Sequence, residues 1–148
     1  MSAFADSSAL VKLYADEPGH EHVRNPGLLL VSQLARVEVP AAIWRKHRMG
    51  ELSPDDARVL ADAFEADYFG TDGEDARFIA VALAAPVLDD AARLAAVHGL
   101  RAYDAVQMGS ACAARTADPA CGSFAAFDRA LRSAAAAEGF TLVPATLP

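Results

Sequence analysis

The stretch Pro26-Gly27-Leu28-Leu29-Leu30-Val31-Ser32 (residues 26–32) gives the clearest indication of the fold. Its apolar run, Leu28 to Val31, is continuous rather than alternating, and a proline–glycine pair stands directly before it. A continuous apolar run of this length predicts a strand that is buried on both faces. Because such strands occur in parallel sheets that helices cover on both sides, the run favours an α/β fold.

Outward from this run, short apolar segments alternate with helix-favouring segments along the chain. We predict strands at residues 3–5, 28–31, 78–83, 123–127 and 141–143. We predict helices at residues 8–15, 32–48, 86–98, 103–115 and 129–138, and a further helix that begins at Ser53. Since no repeat or linker divides the 148 residues, we expect a single domain over residues 1–148. Its expected architecture is a three-layer α/β/α sandwich with a central parallel sheet of about five strands.

Composition restricts the class of protein. Of the 148 residues, 53% are hydrophobic and 22% are charged, which suits a compact core and is too apolar for intrinsic disorder. No run of about 18 uncharged apolar residues predicts a membrane helix, and an acid at position 6 argues against a secretory signal. We therefore expect a cytoplasmic protein with no membrane association. Two cysteines, without a C-x-x-C pattern, predict neither a disulfide framework nor a zinc site.

Four acidic residues fall where ligands bind in parallel α/β sheets, at the carboxyl ends of the strands. Asp6 ends the first predicted strand, Asp128 ends the fourth, and Asp104 stands at a helix start, while Glu38 lies two turns into the helix after the second strand. Carboxylates this close would repel one another unless a cation neutralised them, and Mg²⁺ or Mn²⁺ prefers oxygen ligands. Spacing alone leaves simpler interpretations open: the three aspartates are also good helix caps, and Glu38 could lie on a solvated helix face.

The residues around these acids occur in a recognisable order. They form four segments: Phe4-Ala5-Asp6-Ser7-Ser8-Ala9-Leu10, Ser32-Gln33-Leu34-Ala35-Arg36-Val37-Glu38, Leu100-Arg101-Ala102-Tyr103-Asp104-Ala105 and Phe127-Asp128-Arg129-Ala130-Leu131. This order resembles the PIN-domain family, and within it the small bacterial ribonuclease toxins of the VapC type. The resemblance covers nearly the whole chain, in order, to the terminal Gly139-Phe140-Thr141-Leu142-Val143-Pro144.

The resemblance implies a PIN-like fold and a metal-dependent endoribonuclease, the toxin of a type II toxin–antitoxin pair. Asp6, Glu38, Asp104 and Asp128 would be the catalytic and metal-binding acids, with Mg²⁺, or alternatively Mn²⁺, as the cofactor. Water activated by the metal would attack the RNA phosphodiester in line and leave a 5′-phosphate and a 3′-hydroxyl. Ser7 and Ser8 are candidates for orienting the acids, although either hydroxyl could equally cap a helix. The resemblance further implies a cognate antitoxin protein as a partner and a homodimer.

Two positions depart from the family pattern. Ala126 stands where the family commonly has Thr or Ser, two residues before the last acid, so a hydroxyl that would orient Asp128 or a bound water is missing. Pro40 follows Glu38 inside a predicted helix and lacks the N–H that would bond the carbonyl of Arg36, which predicts a kink. These departures favour an alternative: a degenerate PIN domain that binds a protein or RNA without cutting it.

Other functions fit the sequence less well. Receiver-type phosphoacceptor domains and dehalogenase-like phosphatases also place aspartates at strand ends, but their usual forms need a late lysine, and none follows Lys46. A net charge of −7 opposes a broad basic surface for nucleic acid, so RNA recognition should be local to the cleft and depend on the metal. Arg45, Lys46 and Arg48 form a small basic cluster, which suits either a solvated helix face or a phosphate contact.

Overall fold

The computed structural model describes residues 2–24 and 27–148, so Met1, Asn25 and the Pro26 that stands before the decisive apolar run lie outside the described residues. Five strands are present in them: β1 (Ser2–Ala5), β2 (Leu28–Ser32), β3 (Phe78–Val81), β4 (Cys121–Ala125) and β5 (Thr141–Val143). The α-helices are α1 (Ser7–Val11), α2 (Ala35–Arg48), α3 (Pro54–Phe69), α4 (Ala85–His98), α5 (Ala102–Ala117) and α6 (Arg129–Ala137). Within these described ranges, no helix is long and apolar enough to cross a membrane.

The strands form one parallel sheet in the order β3-β2-β1-β4-β5. From the central β1 the chain moves outward through β2 to β3, and then returns to place β4 on the other side of β1. The direction of winding therefore changes between β1 and β4, which is the position where parallel α/β sheets bind their ligands. The three-layer α/β/α arrangement and its five parallel strands confirm the predicted fold class.

Alternate strand residues enter two separate cores, one on each face of the sheet. On the face covered by α4, α5 and α6, Phe4 stacks on Phe124 with ring centroids 5.4 Å apart. On the opposite face, Val31 packs with Ile43 of α2 and Phe64 of α3. Because apolar residues of the central strands face a core on both sides, their runs are continuous in sequence.

A small residue allows two helices to pack closely, and a cap fixes the start of a third. Gly109 lies inside α5, where an added Cβ would be 2.9 Å from the carbonyl oxygen of Val87 in α4. The absence of a side chain at this position therefore allows α4 and α5 to pack closely. The Oγ of Ser53 accepts a hydrogen bond from the N–H of Asp56 at 3.0 Å, so Ser53 caps α3, which begins at Pro54.

The predicted start of the second helix is wrong. Ser32 belongs to β2, and α2 begins three residues later, at Ala35. The hydroxyl of Ser32 accepts from the N–H of Leu34 at 3.1 Å and from the hydroxyl of Ser110 at 2.9 Å, so it forms a turn and a buried contact rather than a helix cap. As a consequence, Glu38 lies in the first turn of α2 and not two turns into it.

Candidate active site

Asp6 lies at the centre of the carboxyl edge of the sheet, directly after β1. Its side chain is buried, with 4% of the residue exposed, and its N–H donates to the carbonyl of Ala125 at the end of β4 at 3.0 Å. The Oδ1 atom accepts from the Oγ of Ser8 at 2.6 Å and from the N–H of Ala9 at 3.0 Å. Asp6 therefore is the cap of α1, but capping uses one carboxylate oxygen and leaves Oδ2 for another partner.

The environment of Asp6 disfavours its charge. The pKa of this carboxyl is raised to about 7: burial is the largest cause and the charges of Glu38 and Asp104 add to it, while the bonds from Ser8 and Ala9 lower it. These two acids come from α2 and α5, so three elements bring carboxyl groups near one point. A helix cap alone has no need for two more acids beside it.

A hydrogen-bond network fixes Glu38. Its Oε1 accepts from the hydroxyl of Ser7 at 2.8 Å and from the Nε2 of Gln107 at 2.8 Å, and Gln107 also donates to Ser7 at 3.0 Å. Glu38 is thus not a freely solvated helix residue. Pro40 does not interrupt the helix that carries it, because α2 runs continuously from Ala35 to Arg48.

Gln107 belongs to the same network, although no sequence motif indicates it. It lies on α5, three residues after Asp104 and hence about one turn further along the same side of the helix. Only 2% of it is exposed, and its Oε1 is a buried acceptor without a hydrogen-bond partner in the described part of the chain. The sequence feature that could have indicated Gln107 is its long polar side chain between the apolar Val106 and Met108, one turn after Asp104.

Asp104 and Asp128 complete the acidic edge. Burial raises the pKa of Asp104, and the charge of Asp128 adds to the effect, while Arg101 at 3.5 Å opposes it. Asp128 caps α6, since its Oδ2 accepts from the N–H of Leu131 at 2.9 Å. Here too the cap uses one oxygen of the carboxylate.

Ser8 connects Asp6 to the loop that carries Asp128. Its hydroxyl donates to Asp6 and accepts from the N–H of Phe127 at 3.1 Å, one residue before Asp128. Ala126 is fully buried in this loop, and its carbonyl accepts from the Nη1 of Arg132 at 2.9 Å. The hydroxyl absent at position 126 therefore has a nearby counterpart in Ser8, although Ser8 reaches Asp6 and not Asp128.

The four acids interact in pairs: Asp6 with Glu38, Asp6 with Asp104, and Asp104 with Asp128. Across residues 2–24 and 27–148, no three His, Cys, Asp or Glu side chains are grouped closely enough to hold a metal ion as they stand. The donor chemistry nevertheless fits a hard divalent cation, because the oxygens are carboxylates and their mutual repulsion is what such an ion would relieve.

A cleft of about 990 Å³ begins beside these acids and follows α2. Ser7, Ser8 and Glu38 line it, and it extends past Arg45 to Met49. Tyr103, the neighbour of Asp104, also lines it. Glu38 therefore connects the acidic edge to a cleft whose volume lies at the upper end of the range for ligand-binding sites.

Comparison with known proteins shows a structural similarity but no matching family model. No protein-family model matches the chain, and no curated protein does. Among solved structures, the chain is similar to the crystal structure of PAE2754 from Pyrobaculum aerophilum, with a TM-score of 0.55 and 22% sequence identity over 97% of this chain and 93% of that chain. This likeness covers nearly the full length of both chains and shows the fold.

Proposed function

We propose that this protein is a divalent-metal-dependent endoribonuclease of the PIN-domain family, and the toxin of a type II toxin–antitoxin pair. The observation that carries the proposal is the burial of Asp6 between the acids of α2 and α5, at the point where the winding of the sheet changes direction. A buried carboxylate with its pKa raised in this way, next to residues that line a cleft, is typical of a functional site.

The chain's own residues have distinct roles in this reaction. Asp6 and Asp104 would hold Mg²⁺ or Mn²⁺, with Glu38 and Asp128 beside them. When bound, such an ion lowers the pKa of a coordinated water and polarises a phosphate oxygen. Ser8 and the N–H of Ala9 hold Asp6 through Oδ1, so Oδ2 is the oxygen that these bonds leave for a cation. Ser7 and Gln107 hold Glu38 in one orientation, which is the kind of support that keeps a catalytic carboxylate in place.

The proposal includes the partners that accompany such toxins. The substrate is RNA, the inhibitor is a cognate antitoxin protein, the protein acts in the cytoplasm, and it forms a homodimer. An adjacent small reading frame that encodes a DNA-binding protein would support the pairing directly.

The alternative is a non-catalytic PIN domain that binds a protein or RNA, which Ala126 favours because no hydroxyl from that position orients Asp128. Two measurements separate the alternatives. We expect the wild type to cleave RNA with Mg²⁺ or Mn²⁺, EDTA to stop cleavage, and Asp104→Asn to lower the rate at least about a hundredfold. Titration calorimetry with Mn²⁺ should show binding that Asp6→Asn removes.

Asp55→Asn is the matched control, because Asp55 is an exposed acid on α3 and its replacement changes the net charge by the same amount. It should cleave RNA like the wild type. Unchanged metal-dependent cleavage by Asp104→Asn would refute the assignment of the site. Wild-type protein that binds Mn²⁺ nowhere near Asp6 and cuts no RNA would establish the non-catalytic alternative.

A further inference from the structure

The wall of the cleft along α2 differs in charge from the rest of the protein. The chain has a net charge of −7, yet the cleft is lined by four basic and three acidic side chains. These are Lys12, Arg45, Lys46 and Arg48, with Glu17, Glu38 and Glu51. The local balance is therefore slightly positive in a strongly acidic molecule.

Two of the four basic side chains are already neutralised. The Nζ of Lys46 lies 2.6 Å from Glu17 and 3.3 Å from Glu51, and the Nζ of Lys12 lies 3.4 Å from Glu17. Arg45 and Arg48 are exposed, and neither has a carboxylate within 4.0 Å in the ranges 2–24 and 27–148. The two arginines are thus the cations of the cleft that are available to an anionic ligand.

Helix geometry aligns these arginines with the acidic edge. Arg45 follows Glu38 by seven residues, which is nearly two full turns, so the two side chains leave α2 on almost the same face about 10 Å apart along the axis. Arg48 lies one turn further along. A chain that enters beside Glu38 and follows α2 therefore meets two successive positive charges.

The same cleft offers exposed apolar and aromatic surface. Tyr103 is 66% exposed and Val37 is 68% exposed, and both line the cleft near the acids. An exposed tyrosine next to a candidate catalytic acid is a platform on which a nucleotide base can stack. An acidic peptide would meet the same arginines and the same glutamates as an RNA backbone, but it would make no use of a stacking surface.

We propose that this cleft is the path of single-stranded RNA, in which Arg45 and Arg48 contact backbone phosphates and Tyr103 stacks on a base beside the acidic edge. The inference rests on the proposed ribonuclease function, to which it adds the path of the strand and the residues that bind it. Binding through two phosphates and one base matches the way in which proteins hold single strands.

The test is binding of a fluorescein-labelled single-stranded RNA, measured by anisotropy in EDTA and again with Ca²⁺ over a range of salt concentrations. We expect the double variant Arg45→Ala/Arg48→Ala to bind about tenfold more weakly than the wild type at low salt. Its log–log salt dependence should be shallower by about 1.4, since each phosphate contact on a single strand contributes about 0.7. Tyr103→Ala should weaken binding with no change in that slope, and Tyr103→Phe should restore it.

The matched control is Arg58→Ala/Arg93→Ala, because these exposed arginines of α3 and α4 lie outside the cleft and their loss changes the net charge equally. Equal RNA affinity and salt slope in the two double variants would overturn the proposal. Wild-type protein that binds no RNA in either buffer would overturn it as well and would favour a protein ligand.

Cleavage assays distinguish failure of the proposed RNA path from failure of the proposed ribonuclease function. If the wild type cleaves RNA and Arg45→Ala/Arg48→Ala binds and cleaves equally well, the RNA path is wrong and the nuclease assignment stands. If the wild type binds RNA through these arginines but never cleaves it, the path is right and the nuclease assignment fails.

Discussion

At the scale of single residues, Asp6 combines a structural and a chemical role that oppose each other energetically. Its Oδ1 caps α1, which stabilises the fold, whereas burial of its charge beside Glu38 and Asp104 destabilises it. Burial raises the pKa of Asp6 from 3.8 to about 7. A site that holds charge at a cost to stability is expected where function requires that charge.

We predict that Asp6→Asn stabilises the protein above neutral pH in EDTA. Above pH 7 Asp6 is ionised in the folded protein, and burying its charge destabilises the fold in full. As the pH falls from 7 to 4, Asp6 takes up a proton in the folded state before it does so in the unfolded state, and the destabilisation disappears. Asparagine keeps the cap. The gain in the free energy of unfolding should reach at most about 4 kcal/mol at pH 8 and vanish near pH 4. Urea unfolding of the wild type and Asp6→Asn at pH 8 and pH 4 measures this gain. An equal gain at the two pH values would contradict the prediction.

Gln107 is predicted to position Glu38 rather than to touch the substrate. In Gln107→Ala, Glu38 loses one of its two donors, so we expect kcat for RNA cleavage to fall about 10- to 100-fold with little change in KM. Ser110→Ala is the control, because Ser110 is buried one turn further along α5 and its hydroxyl donates to Ser32, away from Glu38. It should lower stability and leave kcat unchanged. A Gln107→Ala protein with wild-type kcat would show that the contact is structural only.

The sequence could predict that Asp6 and Asp128 follow strands at the same edge of the sheet, but it could not predict the contact between Gln107 and Glu38. Asp6 and Asp128 follow apolar strands, and parallel strands end at one edge, so local patterns suffice to bring them there. Gln107 reaches Glu38 because α5 lies close to β2 and α2. This packing brings together segments that are far apart in the sequence, so no local pattern reveals it. A buried glutamine and a solvated one look alike in a single sequence.

At the scale of elements, the predicted helices and strands are largely correct because their apolar patterns and caps are local. The strands at 3–5, 28–31 and 141–143 agree with β1, β2 and β5 within one residue. The error at Ser32 arises because a serine can cap a helix or lie in a strand, and its partner Ser110 is 78 residues away. The loop before α6 is instead supported from nearby in sequence, by Arg132.

Arg132 is predicted to hold that loop in place. It is buried, and its guanidinium donates to the carbonyls of Ala126 at 2.9 Å and of Pro144 at 2.7 Å, so it joins the loop of Asp128 to the chain after β5. Arg132→Met should lower the free energy of unfolding by about 2–4 kcal/mol, because buried carbonyls lose charge-assisted donors. Arg132→Lys should recover only part, since lysine lacks the planar fork.

Urea unfolding measures these losses, and Arg129→Ala is the control because Arg129 is an exposed neighbour on the same helix. An Arg132→Met protein as stable as Arg129→Ala would show that the carbonyls find other donors.

At the scale of the whole molecule, the sheet topology and the net charge both bear on the acidic edge. The sheet winds in opposite directions from β1, and this places Asp6, Glu38 and Asp104 together although they span about a hundred residues of sequence. The chain has 20 acidic residues against 13 basic ones, so its overall charge does not offset these acids. A divalent ion at this edge would therefore act on the stability of the entire fold.

We predict that Mn²⁺ raises the Tm of the wild type at pH 8 through these acids. A ligand at a hundredfold excess over its Kd stabilises the folded state by about 2.7 kcal/mol, which corresponds to about 5–10 °C for a chain of this size. Asp104→Asn should lose most of this rise, while Asp55→Asn, with the same net charge, should keep it. NaCl at matched ionic strength should raise the Tm less, because it screens charges without binding. An equal rise in all three proteins would mean that Mn²⁺ only screens the overall charge, and the acidic edge would then have no specific affinity for it.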